Sequence, residues 1–288
     1  MLDYSVAIVG GDLRFVRLAQ LLNSKKINVL VYGLDHPDLP LDINRCTKLE
    51  EINSCKIVIG PIPFSRDNKF LFAPLYSEKI PINDFLTASK NSFIIAGAIN
   101  SNIAKTLMGT KWCDLTALDE FAILNAIPTA EGGIQYAMQH SEITIHNSKC
   151  LVLGFGRCGK ILAEKLKALG SFVSVEARSN RDLSYISAYG YTPIALEDLA
   201  SNLKEYDFIF NTVPTCLLTK SLIDNLRNNV VYIELASNPG GIDKYYAIQK
   251  SVHYISAPSL PGKVAPKTAA EIIYHCLLII IRNQGACI

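Results

Sequence analysis

The feature that most constrains the fold of this chain is a glycine-rich turn within residues 149–170. A short apolar strand ends at Leu153, and an amphipathic helix with apolar residues at helical spacing follows the turn. Gly154 permits the sharp turn, Gly156 lets the backbone approach a pyrophosphate, and Gly159 lets the helix pack closely on the strand. The pattern predicts a Rossmann dinucleotide-binding domain whose helix N–H groups bind the phosphates. The candidate cofactor-binding residues here are Gly154, Phe155, Gly156, Arg157, Cys158 and Gly159.

The end of the next strand selects between NAD and NADP. An NAD site usually places an acid there for the ribose 2′-hydroxyl, whereas an NADP site offers arginine and small polar groups to the 2′-phosphate. Counting forward from the turn puts Ala177 where the acid usually stands, which favours NADP and leaves NAD as the alternative. Glu176 should point to the other face of the strand, unless a small shift in register makes it a ribose ligand. The candidate contacts are Ala177, Arg178, Ser179 and Arg181, of which the two arginines would otherwise belong to a solvated loop.

Composition excludes several classes of protein. The chain has 288 residues, of which 49% are hydrophobic and 19% charged, as expected for a soluble globular protein with two domains. A formal charge of +2 with dispersed Lys and Arg gives no indication of a nucleic-acid partner. The N-terminus lacks the positive charge of a secretory signal, and the apolar run 276–281 is too short to span a bilayer. Eight cysteines without a C-x-x-C pair and five histidines without a ligand pattern predict a cytosolic protein with reduced, mostly buried thiols and no metal site.

Strands alternate with helices along the whole chain, which predicts parallel sheets with right-handed crossovers. We therefore expect an α/β protein of two lobes, with a flavodoxin-like or Rossmann-like first lobe and a Rossmann second lobe. The predicted first lobe is 1–115, completed by a C-terminal helix at 266–288, and the second is 142–265. Helices at 116–141 are predicted to bridge the lobes. One of these helices should end before Pro128, which suits the first turn of the next.

Two further strand ends of the second lobe should open on the nucleotide, because parallel strands present their carboxyl ends together. Backbone and small side chains there are expected to flank the nicotinamide. The alternatives are turn chemistry for Asn211 and Thr212, and an N-cap or buried ion pair for Glu234. The candidate residues are Asn211, Thr212, Val213, Pro214, Glu234, Leu235, Ala236 and Ser237.

The first lobe begins with a second, degenerate turn at Gly10-Gly11-Asp12. Phe15 occupies the region of the third glycine, so no second cofactor is predicted. Asp12 and Arg14 follow the first strand, where open α/β sheets bind ligands. Either they contact a substrate, or Asp12 is an N-cap beside an exposed arginine. The loop beginning Gly60-Pro-Ile-Pro-Phe-Ser-Arg66 either lines a cleft or is only a long connection.

Several motifs together give the chain a family resemblance over almost its full length. They are Gly10-Gly-Asp-x-Arg14, Ile127-Pro-Thr-Ala-Glu-Gly132, Val152-Leu-Gly-Phe-Gly-Arg157, Ala177-Arg-Ser179, Leu235-Ala-Ser-x-Pro-Gly-Gly241 and Leu260-Pro-Gly-x-Val-Ala-Pro-Lys-Thr268. With these motifs the chain resembles the A subunit of dipicolinate synthase. Glu176 departs from the pattern, where a smaller residue is expected.

The resemblance implies an enzyme of spore-forming bacteria that works in the mother-cell cytosol with a flavoprotein-like B subunit. NADP remains the cofactor that the strand end favours, and we also expect a homo-oligomer. The pair would oxidise dihydrodipicolinate, or its hydrated precursor, to pyridine-2,6-dicarboxylate. Such a reaction requires a proton acceptor, for which Asp12 and Glu131 are the candidates. It also requires cations for two carboxylates, for which the candidates are Arg14, Lys263 and Lys267. The alternatives are a dehydrogenase or reductase of another small carboxylated metabolite, or a dinucleotide-sensing protein without catalytic activity.

Overall fold

A computed structural model of the chain describes residues 5–284, which form two α/β units. The first unit takes the chain up to Leu124 and again from Ala265, and the second comprises Asn125–Val264. The division at Leu124 falls inside the segment 116–141 that the sequence predicts to be a bridge.

The first unit is built on a six-stranded parallel sheet. Its strands are β1 (Val6–Val9), β2 (Val29–Tyr32), β3 (Asn44–Arg45), β4 (Ile57–Ile59), β5 (Phe93–Ala96) and β6 (Lys111–Asp114). Its helices are α1 (Leu13–Ser24), α2 (Ile82–Ala88), α3 (Ser101–Thr106) and the C-terminal α11 (Pro266–Gln284). Strands β1, β4 and β5 are buried along their whole length, because helices or loops cover both faces of the sheet.

The second unit repeats this plan with six more parallel strands. They are β7 (Lys149–Leu153), β8 (Phe172–Ala177), β9 (Thr192–Ala195), β10 (Phe208–Asn211), β11 (Val231–Glu234) and β12 (His253–Ser256). The helices between them are α5 (Arg157–Ala168), α6 (Asn180–Ala188), α7 (Leu199–Asn202), α8 (Lys220–Ile223), α9 (Lys244–Gln249) and α10 (Leu260–Val264).

Both sheets have the same strand order. The first runs β3-β2-β1-β4-β5-β6, and the second runs β9-β8-β7-β10-β11-β12. This is the doubly wound Rossmann order, and it differs from the flavodoxin order considered for the first unit. In each sheet the order reverses beside the strand that leads into a glycine turn, β1 in one and β7 in the other. The topology therefore offers a ligand-binding crevice at the carboxyl end of each of these strands.

One helix prediction is wrong. Residues 115–117 form a short 3₁₀ turn, and a single helix, α4 (Asp119–Gln139), then continues through Pro128. A proline inside a helix removes one hydrogen bond and costs about 3 kcal/mol. Apolar burial on both sides of the proline offsets this cost, since Phe121 packs in the core of the first unit and Ala130 in that of the second.

Candidate functional site

The glycine turn of the second unit is packed so tightly that side chains are excluded at two positions. Gly154 has φ +91°, and a Cβ there would lie 2.5 Å from Val213 Cγ2. A Cβ on Gly159 would lie 2.0 Å from the carbonyl oxygen of Gly154. The start of α5 therefore lies directly against the turn, as the glycine spacing predicts.

Gly156 differs from these two glycines because it faces open space. No described atom lies within 4 Å of a Cβ built on it, and among the described residues no side chain caps α5, whose N-cap is Gly156. The first N–H groups of a helix have no partner within the helix and attract anions, which the helix dipole also favours. The turn therefore fits a pyrophosphate, and Gly156 is where the phosphate can approach the backbone.

The side chains of two residues in this turn are not suited to catalysis. Phe155 is buried in the core of the second unit, so only its backbone is available to a nucleotide. Burial raises the pKa of Cys158 to about 12. This thiol is therefore uncharged near neutral pH and is not an activated nucleophile.

The end of β8 separates Glu176 from its neighbours. Ala177 packs in the core on one face of the sheet, while Glu176 pairs in register with Leu153 and Ile194, which belong to the core on the other face. The predicted opposite orientation of Glu176 is thus confirmed. Its side chain is only 2% exposed, one carboxyl oxygen has no partner among the described residues, and burial raises its pKa. Arg178, in contrast, is exposed.

Ser179 and Arg181 already have partners within α6. The hydroxyl of Ser179 accepts from the Asp182 amide at 3.1 Å and donates to the Asp182 carboxylate at 2.8 Å, so Ser179 is the N-cap of α6. The guanidinium of Arg181 lies 5.8 Å from the centroid of the Tyr185 ring. Among the residues predicted to contact the 2′-phosphate, Arg178 is an exposed cation at the strand end, and its charge acts on Glu176, where it opposes the rise in pKa.

Glu234 anchors the loop that follows β11. Its carboxylate accepts hydrogen bonds from the Asn211 amide at 2.6 Å, the Gly241 N–H at 2.8 Å, the Ala236 N–H at 3.1 Å and the Tyr232 hydroxyl at 3.3 Å. Burial raises the pKa of Glu234, while these four donors oppose the shift. Both predicted alternatives for Glu234 are wrong, because among residues 5–284 it neither caps a helix nor forms an ion pair. It holds the backbone of the loop in place.

Asn211 and Thr212 fix the loop after β10. The Asn211 side chain is fully buried, donates to the Val213 carbonyl at 2.9 Å and accepts from the Val213 N–H at 3.1 Å. The Thr212 hydroxyl donates to the Leu153 carbonyl at 2.8 Å and thereby ties the end of β10 to the end of β7. The side chains of Asn211, Thr212 and Glu234 thus stabilise the turns at both strand ends, while Pro214 and Ser237 are exposed.

The turn of the first unit is closed by the chain itself. The Gly11 N–H donates to the Phe72 carbonyl at 2.9 Å, and a Cβ on Gly10 would lie 3.2 Å from Ala73 Cβ. Phe15 fills the place where the third glycine would be, since a Cβ on Gly11 would lie 2.4 Å from its ring. This turn therefore lacks the open space that Gly156 has in the second unit.

Asp12 and Arg14 form an ion pair next to this turn. Asp12 caps α1 by accepting from the Arg14 N–H at 3.1 Å, as one alternative predicts, but Arg14 is 4% exposed and not the surface residue of that alternative. Its Nε and Nη2 donate to the two oxygens of Asp12, each at 2.8 Å, and Nη2 also donates to the Ile62 carbonyl. This bidentate arrangement commits one face of the Arg14 guanidinium to the protein.

Comparisons with known proteins agree with this geometry. The model of the N-terminal domain of the dipicolinate synthase A subunit matches residues 5–115, and that of the NAD binding domain of D-isomer specific 2-hydroxyacid dehydrogenases matches residues 125–235. The dipicolinate synthase A subunit of Bacillus subtilis is 31% identical over 278 residues, which cover 94% of each chain. The chain belongs to the family of dipicolinate synthase A subunits.

Solved structures of this family superpose on the whole chain. The crystal structure of the dipicolinate synthase A subunit from Bacillus halodurans matches with a TM-score of 0.89 and 30% identity, over 96% of this chain and 97% of that one. The corresponding structure from Bacillus subtilis matches with a TM-score of 0.88 and 30% identity, over 99% and 98%. Family and domain assignment together make the chain an NAD(P)-dependent oxidoreductase with a nicotinamide dinucleotide as cofactor.

The remaining predicted site residues belong to helices and not to the two glycine turns. Glu131 is exposed on α4 and pairs with Lys165 at 2.9 Å. Lys263 on α10 and Lys267 in the first turn of α11 are exposed and belong to different units. Neither lysine has an ion-pair partner in the part of the chain that the structure describes.

The sequence interpretation missed the role of the loop 60–81. It folds back through antiparallel bridges between Ser65 and Leu71 and between Phe70 and Pro81, and its Phe72 closes the first glycine turn. Its length was the available signal, because long loops without regular structure in compact domains are usually functional.

The sequence analysis also predicts no metal site, no membrane-spanning segment and reduced cysteines. No group of three potential metal ligands is found among residues 5–284, and none of the helices described there is long and apolar enough to cross a membrane. The seven described cysteines are free, and Cys55, Cys150 and Cys276 are buried, while Cys287 lies outside the described residues.

Proposed function

We propose that this chain is the NADP-dependent A subunit of a dipicolinate synthase, oxidising dihydrodipicolinate or its hydrated precursor to pyridine-2,6-dicarboxylate during spore formation. The observation that carries the proposal is an open, uncapped glycine turn in a chain 31% identical over its length to the Bacillus subtilis protein of that name. When bound, the nicotinamide supplies the hydride acceptor, and aromatisation of the substrate ring supplies driving force.

The chain's own residues would hold the cofactor in three places. The N–H groups at the start of α5 bind the pyrophosphate at Gly156. Arg178 pairs with the 2′-phosphate beyond Ala177. The backbone of residues 212–214 and 235–237 flanks the nicotinamide, because Asn211 and Glu234 hold these segments in place.

NADP is proposed over NAD because of the state of Glu176. A ribose acid must be accessible to the ribose hydroxyls, whereas Glu176 is buried on the opposite face of the strand. Arg178 is exposed at the same strand end. The accessible charged group at the end of β8 is therefore a cation, which favours a 2′-phosphate.

For proton transfer, Asp12 is the better of the two predicted acids. It lies at the carboxyl end of β1, where open sheets bind ligands, and 19% of its side chain is exposed. Arg14 then acts as its positioning residue through two hydrogen bonds. Glu131 is accounted for by its exposed ion pair with Lys165.

Lys263 and Lys267 remain proposed contacts for the substrate carboxylates. Both are exposed and have no described ion-pair partner that would hold their ammonium groups elsewhere. An ammonium group serves a carboxylate as a point charge, without the directional geometry of a guanidinium.

The chain is also proposed to act with a flavoprotein-like B subunit and as a homo-oligomer in the mother-cell cytosol. These proposals rest on family membership. The mass of the purified complex, measured by light scattering with and without the B subunit, tests both assemblies.

The decisive assay is NADP reduction on addition of dihydrodipicolinate, with and without the B subunit. Turnover by the chain alone or only with the B subunit supports the proposal, and the second result indicates a shared site. Absence of turnover in both arrangements contradicts it. Dinucleotide binding without turnover would then favour a sensing protein, and turnover only with another carboxylated metabolite would favour a different dehydrogenase.

Arg178→Gln tests the choice of cofactor. We expect NADP affinity to fall about 10- to 100-fold, as for loss of a charge-assisted phosphate contact. NAD affinity should stay within about twofold, a difference of less than 0.5 kcal/mol. Lys204→Gln is the matched control, because Lys204 is an exposed cation of the same unit that lies on a 3₁₀ turn before β10. Tighter binding of NAD than NADP by the unmodified chain would contradict the NADP assignment.

A further inference from the structure

The loop 60–81 carries two cations that lie against aromatic rings. The Arg66 guanidinium lies 4.2 Å from the centroid of the Phe72 ring, and Lys79 Nζ lies 4.9 Å from that of Phe70. These four residues line an open cavity of about 230 Å³ together with Asp67, Leu71, Ala73 and Pro74. We call this cavity the Arg66 pocket.

The pocket is connected by backbone hydrogen bonds to the carboxyl end of the first sheet, the end at which open α/β sheets generally bind ligands. The Phe72 carbonyl accepts from the Gly11 N–H at 2.9 Å, and the Phe72 N–H donates to the Phe64 carbonyl at 3.0 Å. Gly11 lies two residues after the end of β1, beside the point where the strand order of the first sheet reverses. The backbone under Arg66 is therefore fixed at the carboxyl end of the sheet.

The cations of the pocket, Arg66 and Lys79, are not paired with its carboxylate, Asp67. The carboxylate of Asp67 accepts from the N–H groups of Lys69 and Phe70, each at 2.9 Å, and from the Ser65 hydroxyl at 3.2 Å. These donors lower the pKa of Asp67 and hold its charge within its own turn. Arg66 and Lys79 are exposed, and no carboxylate among residues 5–284 forms an ion pair with either.

Arg14, in the same unit, differs from Arg66 in how its guanidinium is held. Its guanidinium is buried, and its Nε and Nη2 donors are already used by the Asp12 carboxylate and the Ile62 carbonyl. Arg66 is held instead by the face of an aromatic ring, which leaves the N–H groups around its edge free to form a bidentate contact.

We propose that the Arg66 pocket binds a carboxylate of a flat, single-ring dicarboxylate, with Arg66 as the bidentate ligand and Lys79 as a second cation. The ligand class deepens the proposed function and rests on it. The cavity is smaller than the roughly 300–1,000 Å³ of sites for drug-sized ligands, which suits a one-ring metabolite. Aromatic walls next to cations match a planar ring that carries carboxylates.

Titration calorimetry of the full chain with pyridine-2,6-dicarboxylate, in metal-free buffer, tests the pocket directly. We expect Arg66→Gln to weaken binding about 10- to 100-fold, since a bidentate charge-assisted contact is lost. Arg66→Lys should recover less than half of this loss, because an ammonium cannot form the planar bidentate contact. Lys79→Gln should weaken binding about threefold to tenfold, as for a single partly solvated charge.

Lys69→Gln is the matched control, with the same change of charge on the same loop outside the pocket lining. Equal binding by Lys69→Gln and the unmodified chain, with weak binding by Arg66→Gln, supports the proposal. Equal effects of both substitutions would reveal only a general electrostatic attraction and overturn it. Thermal melting of each variant excludes an effect through unfolding.

The outcomes separate this proposal from the proposed function. If the chain reduces NADP with dihydrodipicolinate but Arg66→Gln leaves both KM and product affinity unchanged, the pocket is refuted and the function stands. If no turnover occurs but pyridine-2,6-dicarboxylate binds in an Arg66-dependent way, the pocket stands and the function is refuted. No measurable binding of pyridine-2,6-dicarboxylate to the unmodified chain refutes the pocket.

Discussion

The two units share one strand order but differ at the turn after their first strand. Aligned on that turn, Gly10 corresponds to Gly154, Asp12 to Gly156 and Phe15 to Gly159. In the first unit a carboxylate caps the helix, a phenylalanine fills the gap, and the Phe72 carbonyl takes an N–H of the turn.

In the second unit all three features are missing from the described residues, and the helix N-terminus is open. The comparison shows that topology supplies a crevice, while a few side chains decide whether it accepts a nucleotide. In the first unit the Asp12 carboxylate occupies the N-terminus of α1. In the second unit the N-terminus of α5 has no such carboxylate and suits a phosphate.

The largest effect is expected for Gly159→Ala. This substitution places a side-chain carbon in the second turn at the position that corresponds to Phe15 in the first. The new Cβ would lie 2.0 Å from the Gly154 carbonyl oxygen, which is backbone and cannot rotate away. We expect a loss of about 3 kcal/mol or more in unfolding free energy and loss of dinucleotide binding. Urea unfolding and fluorescence titration measure both. Gly156→Ala is the control and should change stability by less than about 1 kcal/mol, since no described atom meets its Cβ.

Gly156→Asp copies the carboxylate of the first unit into the second. Aspartate is a favoured N-cap, so we expect stability to stay equal or rise by up to about 1 kcal/mol. Dinucleotide affinity should fall more than about 100-fold, because the new carboxylate takes the N–H groups and repels the pyrophosphate. Retained affinity in a titration would show that the helix N-terminus is not the phosphate site.

The sequence predicted the second turn better than the first because its information is local. Glycine spacing identified the nucleotide-binding fold without any long-range contact, and residues 177–181 led to the prediction of NADP from the local sequence alone. The closure of the first turn depends on Phe72, about sixty residues away, and on a loop without a periodic pattern.

Other misses have the same physical origin. The four hydrogen bonds of Glu234 come from residues on two strands and a following loop, so spacing alone suggested a cap or an ion pair. The continuation of α4 through Pro128 reflects packing on either side of it, which overrides local propensity.

Glu176 and Tyr32 occupy matching positions, since their carbonyls accept from Gly154 at 3.2 Å and Gly10 at 2.9 Å. Burial raises the pKa of Glu176 above 4.5, so the folded protein holds this proton more tightly than the unfolded chain does. The protonated Glu176 carboxyl therefore makes its full contribution to the unfolding free energy below pH 4.5. This contribution is lost as the pH rises through the pKa that Glu176 has in the folded protein.

Glu176→Gln removes this titration, so the unfolding free energy of the variant should rise relative to that of the unmodified chain as the pH increases from 4 to 8. Urea unfolding across that range measures the difference. Tyr32→Phe is the control, because burial raises the pKa of Tyr32 to about 12, outside the range. A constant difference between Glu176→Gln and the unmodified chain would show that Glu176 titrates normally.

The smallest effect is expected for Glu131→Gln, which contrasts the two predicted acids. Glu131 pairs with Lys165 at an exposed position, and exposed ion pairs contribute about 0–1 kcal/mol. We therefore expect a change in unfolding free energy below about 0.5 kcal/mol and unchanged turnover. Asp12→Asn should instead cost about 1–3 kcal/mol and lower kcat, because it weakens the cap of α1 and leaves the buried Arg14 without its charge partner. A fall in kcat for Glu131→Gln with turnover retained in Asp12→Asn would move the proton acceptor to the second unit and reverse the roles proposed for the two acids.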